Sequence, residues 1–296
     1  MDSSDELEAI LSKTASAKDW LQAVSVFLKQ HTLWYGHGAD SAEGEAFWLV
    51  DALRRDGGGL SPTQAVVAAT LLRRRVRERI PMAYLLGEAW FAGLQFSVDP
   101  RVLIPRSPLA EVIERGFSPF HSGTGRLLDL GTGSGCIALA SAHYGRFDRV
   151  DAADVDTDAL TVAALNTHRL GLGEIVRVVK TDLYAGLGDA DYDIIISNPP
   201  YVPTLSMRAL PPEYGHEPSL ALAAGEQGLD YVDEIFRGAA KRLRSDGMLF
   251  VEVGEAAVAL ERRYPMVPFL WLEFEHGGDG VLALEAEQVR EYWPVD

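Results

Sequence analysis

The sequence predicts an α/β fold preceded by a small helical domain, and three observations carry that expectation. Residues 1 to about 85 repeat apolar side chains at helical spacing. After residue 120, strand-like and helix-like stretches alternate. The chain then closes on two strand-like runs joined by a glycine-rich turn. Alternation implies a parallel sheet with helices on both faces, and two strands with no helix between them run antiparallel. The expected product is a seven-stranded sheet of five parallel strands and a terminal antiparallel hairpin.

In chain order, the helical segment shows "DWLQAVSVFLKQ", "AEGEAFWLVDALR" and "SPTQAVVAATLLRRRVRERI". The last opens with Ser61-Pro62, an N-cap followed by proline at the first helical position, and stops before Pro81. A flexible turn, "RDGGGL", separates the second stretch from the third. From Gly87 to Arg106, "EAWFAGLQFSVDPRVLIPR" places aromatic and branched residues around Ala92-Gly93 and predicts a short β-hairpin. The parallel strands are expected at "RLLDLGTG", "RVDAADVD", "IVRVVKTD", "YDIIISNP" and "GMLFVEVG", with helical stretches between, and the hairpin at "PFLWLEFEHGGDGVLALEA". The domain expectation is therefore 1–85 helical, 86–106 a hairpin linker and 107–296 the sheet domain.

The totals exclude some functions. The chain has 296 residues, 47% hydrophobic and 24% charged, with no apolar run of transmembrane length. Its acidic "MDSSDELEAI" start lacks the layout of a signal peptide. One cysteine, Cys136, cannot form an internal disulfide, so a reducing cytoplasm is the expected location. A net charge of -16 repels nucleic-acid backbone and suits a basic protein partner. The local exception is Arg73, Arg74, Arg75, Arg77 and Arg79, which read as a solvated helix face or as an RNA or ribosome contact.

The first parallel strand ends in "LLDLGTGSGCIALA". Gly131, Gly133 and Gly135 let the turn pass close to a ligand at the start of a helix. Asp129 sits on the strand itself, where it would repel a pyrophosphate and attract the ammonium of an amino-acid-bearing cofactor; its other reading is a carboxylate that bonds the loop. Asp154 ends the second strand, placed to accept from ribose hydroxyls. Asp182 and Leu183 follow the third, where they can border an adenine. An ammonium partner, a ribose partner and an adenine border together describe S-adenosylmethionine. Asp156 and Asp158 are expected to cap the following helix. Cys136 is assigned no chemistry, and no metal site is assigned.

The fourth strand ends in Asn198-Pro199-Pro200-Tyr201. This arrangement suits a planar NH2 acceptor, whose nitrogen lone pair is delocalised and poorly nucleophilic. The side-chain carbonyl of Asn198 and the backbone carbonyl of Pro199 can hold its two N–H bonds and aim the lone pair at a methyl group. The prolines fix the direction of that backbone carbonyl. Tyr201 can lay its face on the acceptor plane or near a sulfonium.

"NPPY" with "DLGTGSGCIAL" resembles the methyltransferases of exocyclic or amide nitrogen, and among them the protein glutamine N5-methyltransferases. The strand layout matches the seven-stranded class I S-adenosylmethionine-dependent methyltransferase sheet. "GEAWFAGLQFSVD", "VLIPRSPLAEVIE", "PPEYGHEPSLALAAGEQGLD" and "WLEFEHGGDGVLAL" resemble the branch that methylates a glutamine of large-subunit ribosomal protein L-three. The release-factor branch differs, carrying proline-aspartate-threonine-glutamate after "IPR". The resemblance implies cofactor binding at Asp129, Gly131, Asp154 and Asp182, and at Asn198 contact with both cofactor and glutamine amide. It implies that Arg106 and Glu217 shape the pocket; a surface salt bridge is the other reading of that pair. His216 reads as a loop residue. It also implies a substrate-selecting helical domain and an encounter with the basic protein, free or during ribosome assembly. Competing readings are a release-factor methyltransferase, an N6-adenine DNA methyltransferase and a non-catalytic ribosome-assembly binding protein.

Overall fold

The computed structural model describes residues 3–57 and 60–295, which form two compact units. Gly58 and Gly59, the centre of the expected "RDGGGL" turn, lie outside the described residues, as do Met1 and Asp2. The first unit comprises residues 1–89, Val98–Pro100 and Pro211–His216; the second comprises Trp90–Ser97, Arg101–Leu210 and Glu217–Asp296. The reading of three consecutive segments did not anticipate that Pro211–His216 joins the helical unit.

The first unit holds α1 (Ser3–Leu11), α2 (Ala17–Lys29), α3 (Ala42–Gly57), α4 (Pro62–Arg77) and α5 (Met82–Leu86). In α2 the buried residues Trp20, Val24, Phe27 and Leu28 recur at helical spacing, and Ser16 caps the first turn by accepting from the Asp19 N–H. Ser61 caps α4 in the same way, with Pro62 at its first position. The buried stripe of α4 runs Ala65, Ala68, Leu72 and then Arg75.

That arginine corrects the solvated-face reading at one position of the basic cluster, while Arg74 and Arg77 are exposed as expected. Arg75 is 1% exposed. Its Nε donates to Glu45 at 2.9 Å, Nη1 to Glu213 at 3.0 Å and Nη2 to the Trp34 carbonyl at 2.7 Å. Arg79 closes on Glu213 through two further bonds of 2.9 Å, and the Trp34 N–H reaches the same carboxylate. An arginine can lie on an apolar stripe when its fork finds carboxylates and carbonyls to satisfy it. His216, expected as a loop residue, ends a short 3-10 turn and bonds the Glu78 carbonyl.

β1 (Glu88–Phe91) and β2 (Leu94–Ser97) form the hairpin, with positive φ at Ala92 and Gly93 as a tight two-residue turn requires. In the second unit follow α6 (Leu109–Glu114), β3 (Gly125–Leu130), α7 (Cys136–Tyr144), β4 (Phe147–Asp154), α8 (Thr157–Arg169) and β5 (Val176–Lys180). Then come β6 (Tyr192–Ser197), α9 (Val232–Arg242), β7 (Leu243–Glu252), α10 (Ala257–Arg263), β8 (Leu270–Trp271), β9 (Val281–Glu285) and α11 (Ala286–Tyr292).

The seven strands are ordered β5-β4-β3-β6-β7-β9-β8. The first five in chain order are parallel, while β9 runs antiparallel to both β7 and β8. The chain moves outward from β3 to β4 and β5, then returns to place β6 on the other flank of β3. That reversal opens a crevice at the strand C-termini, where Leu130 is level with both Ala153 and Ser197. One expected helix is missing: residues 181–191 link β5 to β6 by turns, because "TDLYAGLGDAD" carries two glycines and no helical apolar stripe.

Candidate active site

The turn after β3 is tied down by its own backbone. The N–H groups of Gly131 and Thr132 both donate to the Ala153 carbonyl at 2.9 Å, and Gly133 N–H donates to Asp154 Oδ2 at 2.9 Å. Gly131 and Gly133 have φ of 72° and 54°, and a Cβ on either would meet nothing within 4 Å. Their free side is the crevice. Gly135, the third glycine expected at the cofactor, is the N-cap of α7 and is not among the residues that line the crevice. A Cβ there would press on Leu139 and Ala163 at 3.1–3.4 Å, so its role is close packing of helix on helix.

Asp129 also lies off the crevice wall. Its carboxylate is 0% exposed and bonds the loop, Oδ2 accepting from Thr132 Oγ1 at 2.6 Å and from the Ala138 N–H at 3.1 Å. Oδ1 is buried with no hydrogen-bond partner among the described residues. Burial pushes the carboxyl up to about 7; Thr132 and the Ala138 N–H oppose that rise, and the Asp154 charge adds to it. Asp154 lines the crevice itself. Its Oδ1 accepts from the Asp156 N–H at 2.9 Å, and burial raises its pKa too, against the backbone donors of Asp156 and Gly133. Asp156 caps α8 as expected, accepting from Asp158 N–H.

The other wall comes from the ends of β5 and β6. Asp182 and Leu183 follow β5, with Leu183 at φ 45°, and both line the crevice. Ser197, Asn198, Pro199 and Pro200 line it from β6, where Ser197 Oγ donates to the Leu130 carbonyl at 2.8 Å and pins the two strand ends together. The glycine turn and the asparagine-proline turn thus share one crevice.

Tyr201, expected to lay its ring on the acceptor plane or near a sulfonium, is not among the residues that line the crevice. Its hydroxyl donates to Glu252 Oε1 at 3.0 Å, and a Cβ on Gly254 would fall 2.6 Å from its ring. The ring is packed against backbone, so it supports the turn from behind. Glu252 is the residue that sequence reading missed. It ends β7, is buried, and receives Ser107 Oγ on its second oxygen. Burial raises the pKa of Glu252, against the Ser107 and Tyr201 hydroxyls, the Arg106 charge and the nearby Asn198 amide. The available signal was one acid inside the apolar run "MLFVEVG".

Arg106 and Glu217 pair with each other, but not as a surface bridge. The Glu217 side chain is fully buried and takes Arg106 Nη1 and Nη2 at 2.6 and 2.8 Å together with the Ile104 N–H at 3.0 Å. Neither residue lines the crevice; the pair anchors the segment whose Val102 and Leu103 do.

Comparison with known proteins agrees with this geometry. The methyltransferase small domain family model matches residues 115–209. A ribosomal protein uL3 glutamine methyltransferase of Xanthomonas campestris is 44% identical over 294 residues, covering 93% of this chain and 95% of the relative. One from Xylella fastidiosa strain 9a5c is 45% identical over 268 residues, covering 87% and 86%. Among solved structures, the hMettl16 catalytic domain in complex with a MAT2A 3'UTR hairpin superposes with a TM-score of 0.50 at 23% identity, over 74% of this chain and 80% of that one, a likeness of fold.

Proposed function

The chain belongs to the ribosomal protein uL3 glutamine methyltransferases, and on that basis we propose how its crevice performs the reaction. The protein is an S-adenosylmethionine-dependent enzyme that methylates a side-chain amide nitrogen, N5, of a glutamine in large-subunit ribosomal protein L3. The crevice suits that cofactor. Two glycines leave open space along one wall, Asp154 and Asp182 stand where hydroxyl and amine donors need acceptors, and Asp129 holds an unsatisfied buried oxygen behind the turn. When bound, the cofactor supplies a methyl group on a sulfonium, with its leaving group built in.

The reading rests on one observation: Asn198 and Pro199 line the same crevice as Gly131, Gly133 and Asp154. Asn198 Oδ1 and the Pro199 carbonyl each accept one N–H of the glutamine amide. Held at both hydrogens, the nitrogen is drawn from its planar geometry and its lone pair turns toward the methyl carbon. The nitrogen gains that carbon and gives one proton to water, so no side-chain base is required. Pro200 stiffens the turn, Tyr201 supports it from behind, and Asp182 and Leu183 border the adenine. Asp129 acts through the glycine turn that it bonds.

The helical unit selects the protein substrate. The acidic chain steers toward a basic protein, free or within an assembling subunit in the cytoplasm. Among the described residues no helix is long and apolar enough to cross a membrane. The test is incubation with methyl-labelled S-adenosylmethionine and, in parallel, unmodified ribosomal protein L3, a peptide release factor, unmethylated DNA and nascent ribosomal particles. Mass spectrometry is expected to place the label on one glutamine of the ribosomal protein, and Asn198→Ala should abolish it. Label on the release factor or on DNA instead would overturn the substrate, and binding of cofactor with no label anywhere would overturn the activity.

A further inference from the structure

S-adenosylmethionine brings a sulfonium, an ammonium and a carboxylate to its site. The acids of the crevice suit the two cations. Asp154, Asp156 and Asp182 line it, and Asp129 is buried behind its glycine turn. The same acids repel the cofactor's own carboxylate, so that anion needs donors of its own.

A glycine turn at the start of a helix commonly supplies them, its N–H groups cradling the anion. Here those donors are used inside the protein. The N–H groups of Gly131 and Thr132 go to the Ala153 carbonyl, that of Gly133 to Asp154 and that of Ala138 to Asp129. The hydroxyls that line the crevice are committed too: Ser197 donates to the Leu130 carbonyl and Thr181 to the Leu183 carbonyl.

Among the described residues that line the crevice, Arg101 alone carries a positive charge. It is exposed, and Val102 and Leu103, which follow it, line the same crevice. The segment is held just beyond them, where Glu217 accepts from the Ile104 N–H at 3.0 Å and from both Nη atoms of Arg106. A guanidinium is a planar fork of donors that matches the two oxygens of a carboxylate.

We propose that Arg101 binds the carboxylate at the amino-acid end of the cofactor and gives the crevice its preference for a methyl donor that carries one. This rests on the S-adenosylmethionine reading of the crevice and is independent of which protein is methylated. The carboxylate is unchanged from cofactor to demethylated product, so the contact is equally strong throughout. It sets cofactor affinity and leaves the methyl-transfer step alone.

The test is calorimetry with S-adenosylmethionine and with its decarboxylated analogue, which keeps the sulfonium and the ammonium. The wild type should bind the carboxylate-bearing compound roughly 3- to 30-fold more tightly, as for one charge-assisted pair at an exposed arginine. In Arg101→Met that margin should vanish or reverse, because the acids then act alone on the carboxylate. Its affinity for S-adenosylmethionine falls, and its affinity for the analogue does not. Arg101→Lys, which keeps the charge and loses the fork, should lie between. Affinity for S-adenosylhomocysteine should weaken in parallel, while kcat at saturating cofactor stays within about two-fold of the wild type. A wild type that binds both compounds equally would overturn the proposal, as would Arg101→Met that retains the full margin. So would unchanged cofactor affinity with a raised KM for ribosomal protein L3, which would put the arginine on the protein substrate. A wild type that binds no S-adenosylmethionine at all is a separate failure, overturning the cofactor reading and this proposal with it.

Discussion

Two sets of buried carboxylates in this molecule are satisfied in opposite ways. In the helical unit, Glu45 and Glu213 meet guanidinium groups: Arg75 binds both, and Arg79 adds a second fork to Glu213. Burial raises Glu213, but the Trp34 N–H and the two arginines outweigh it and hold the carboxyl below its ordinary range. In the sheet domain, the acids at and behind the crevice meet neutral donors instead. Asp129 has a threonine hydroxyl and a backbone N–H, Asp154 has backbone N–H groups, and Glu252 has two hydroxyls. All three are raised, with burial the largest cause in each, as is Glu45 with its single arginine; only Glu213, with two, is lowered. Charge met by charge makes a strut. Charge met only by dipoles leaves a site that favours a cation, which suits a crevice built for a sulfonium cofactor carrying an ammonium group.

The contrast is most easily broken at Glu213. Glu213→Ala leaves Arg75 buried without one of its two carboxylate partners, and the expected loss is about 3–5 kcal/mol in urea unfolding. A loss below about 1 kcal/mol would show that the arginine finds water or another acid, and the strut description would fail. Next is Asn198→Ala, whose effect belongs to catalysis and not to folding. It should lower kcat by about 100- to 1,000-fold at unchanged melting temperature, as for removal of one preorganised polar group.

Asp129 sharpens the comparison through pH. Its folded pKa of about 7 lies above the unfolded value, so the folded chain keeps a proton that the unfolded chain releases. This group's contribution to stability is therefore present at low pH and is lost as pH rises between roughly 4 and 7. Ligand-free Asp129→Asn should equal the wild type near pH 4 and exceed it at pH 8, on the order of 1–3 kcal/mol. The reverse slope would mean that the carboxylate is stabilised after all. Gly131→Ala should cost about 1–2 kcal/mol at its φ of 72° and weaken cofactor binding, measured by calorimetry. The smallest effect is expected at the exposed Arg74–Glu78 pair on α4, 3.5 Å apart, where Arg74→Ala should change stability by less than about 0.5 kcal/mol.

Local features were legible before any coordinates. Ser61-Pro62 announced the start of α4, Ala92-Gly93 the hairpin turn, and the alternation after residue 120 the parallel sheet. Asn198, Pro199, Gly131, Gly133, Asp154, Asp182 and Leu183 were all named from sequence and now line one crevice. Each rests on a rule of short range: a cap, a turn, or a loop following a strand. The helix expected between β5 and β6 failed because alternation alone does not specify how a chain crosses a sheet.

What sequence reading could not reach was pairing at a distance. Arg75 looked like one of five surface arginines because its partner Glu213 lies 138 residues away. Glu252 was passed over because its partner Ser107 is 145 residues before it and Tyr201 is 51. Gly135 and Tyr201 belong to the expected motifs, yet their close packing against Ala163 and Gly254 shows only in the fold. Secondary structure, the cofactor turn and the asparagine-proline turn were therefore determined by the sequence read by itself, since backbone torsions and side-chain periodicity act over a few residues. The tertiary structure alone decided which buried charges are neutralised by arginine and which are left to dipoles, because that depends on groups brought together only when the chain has folded.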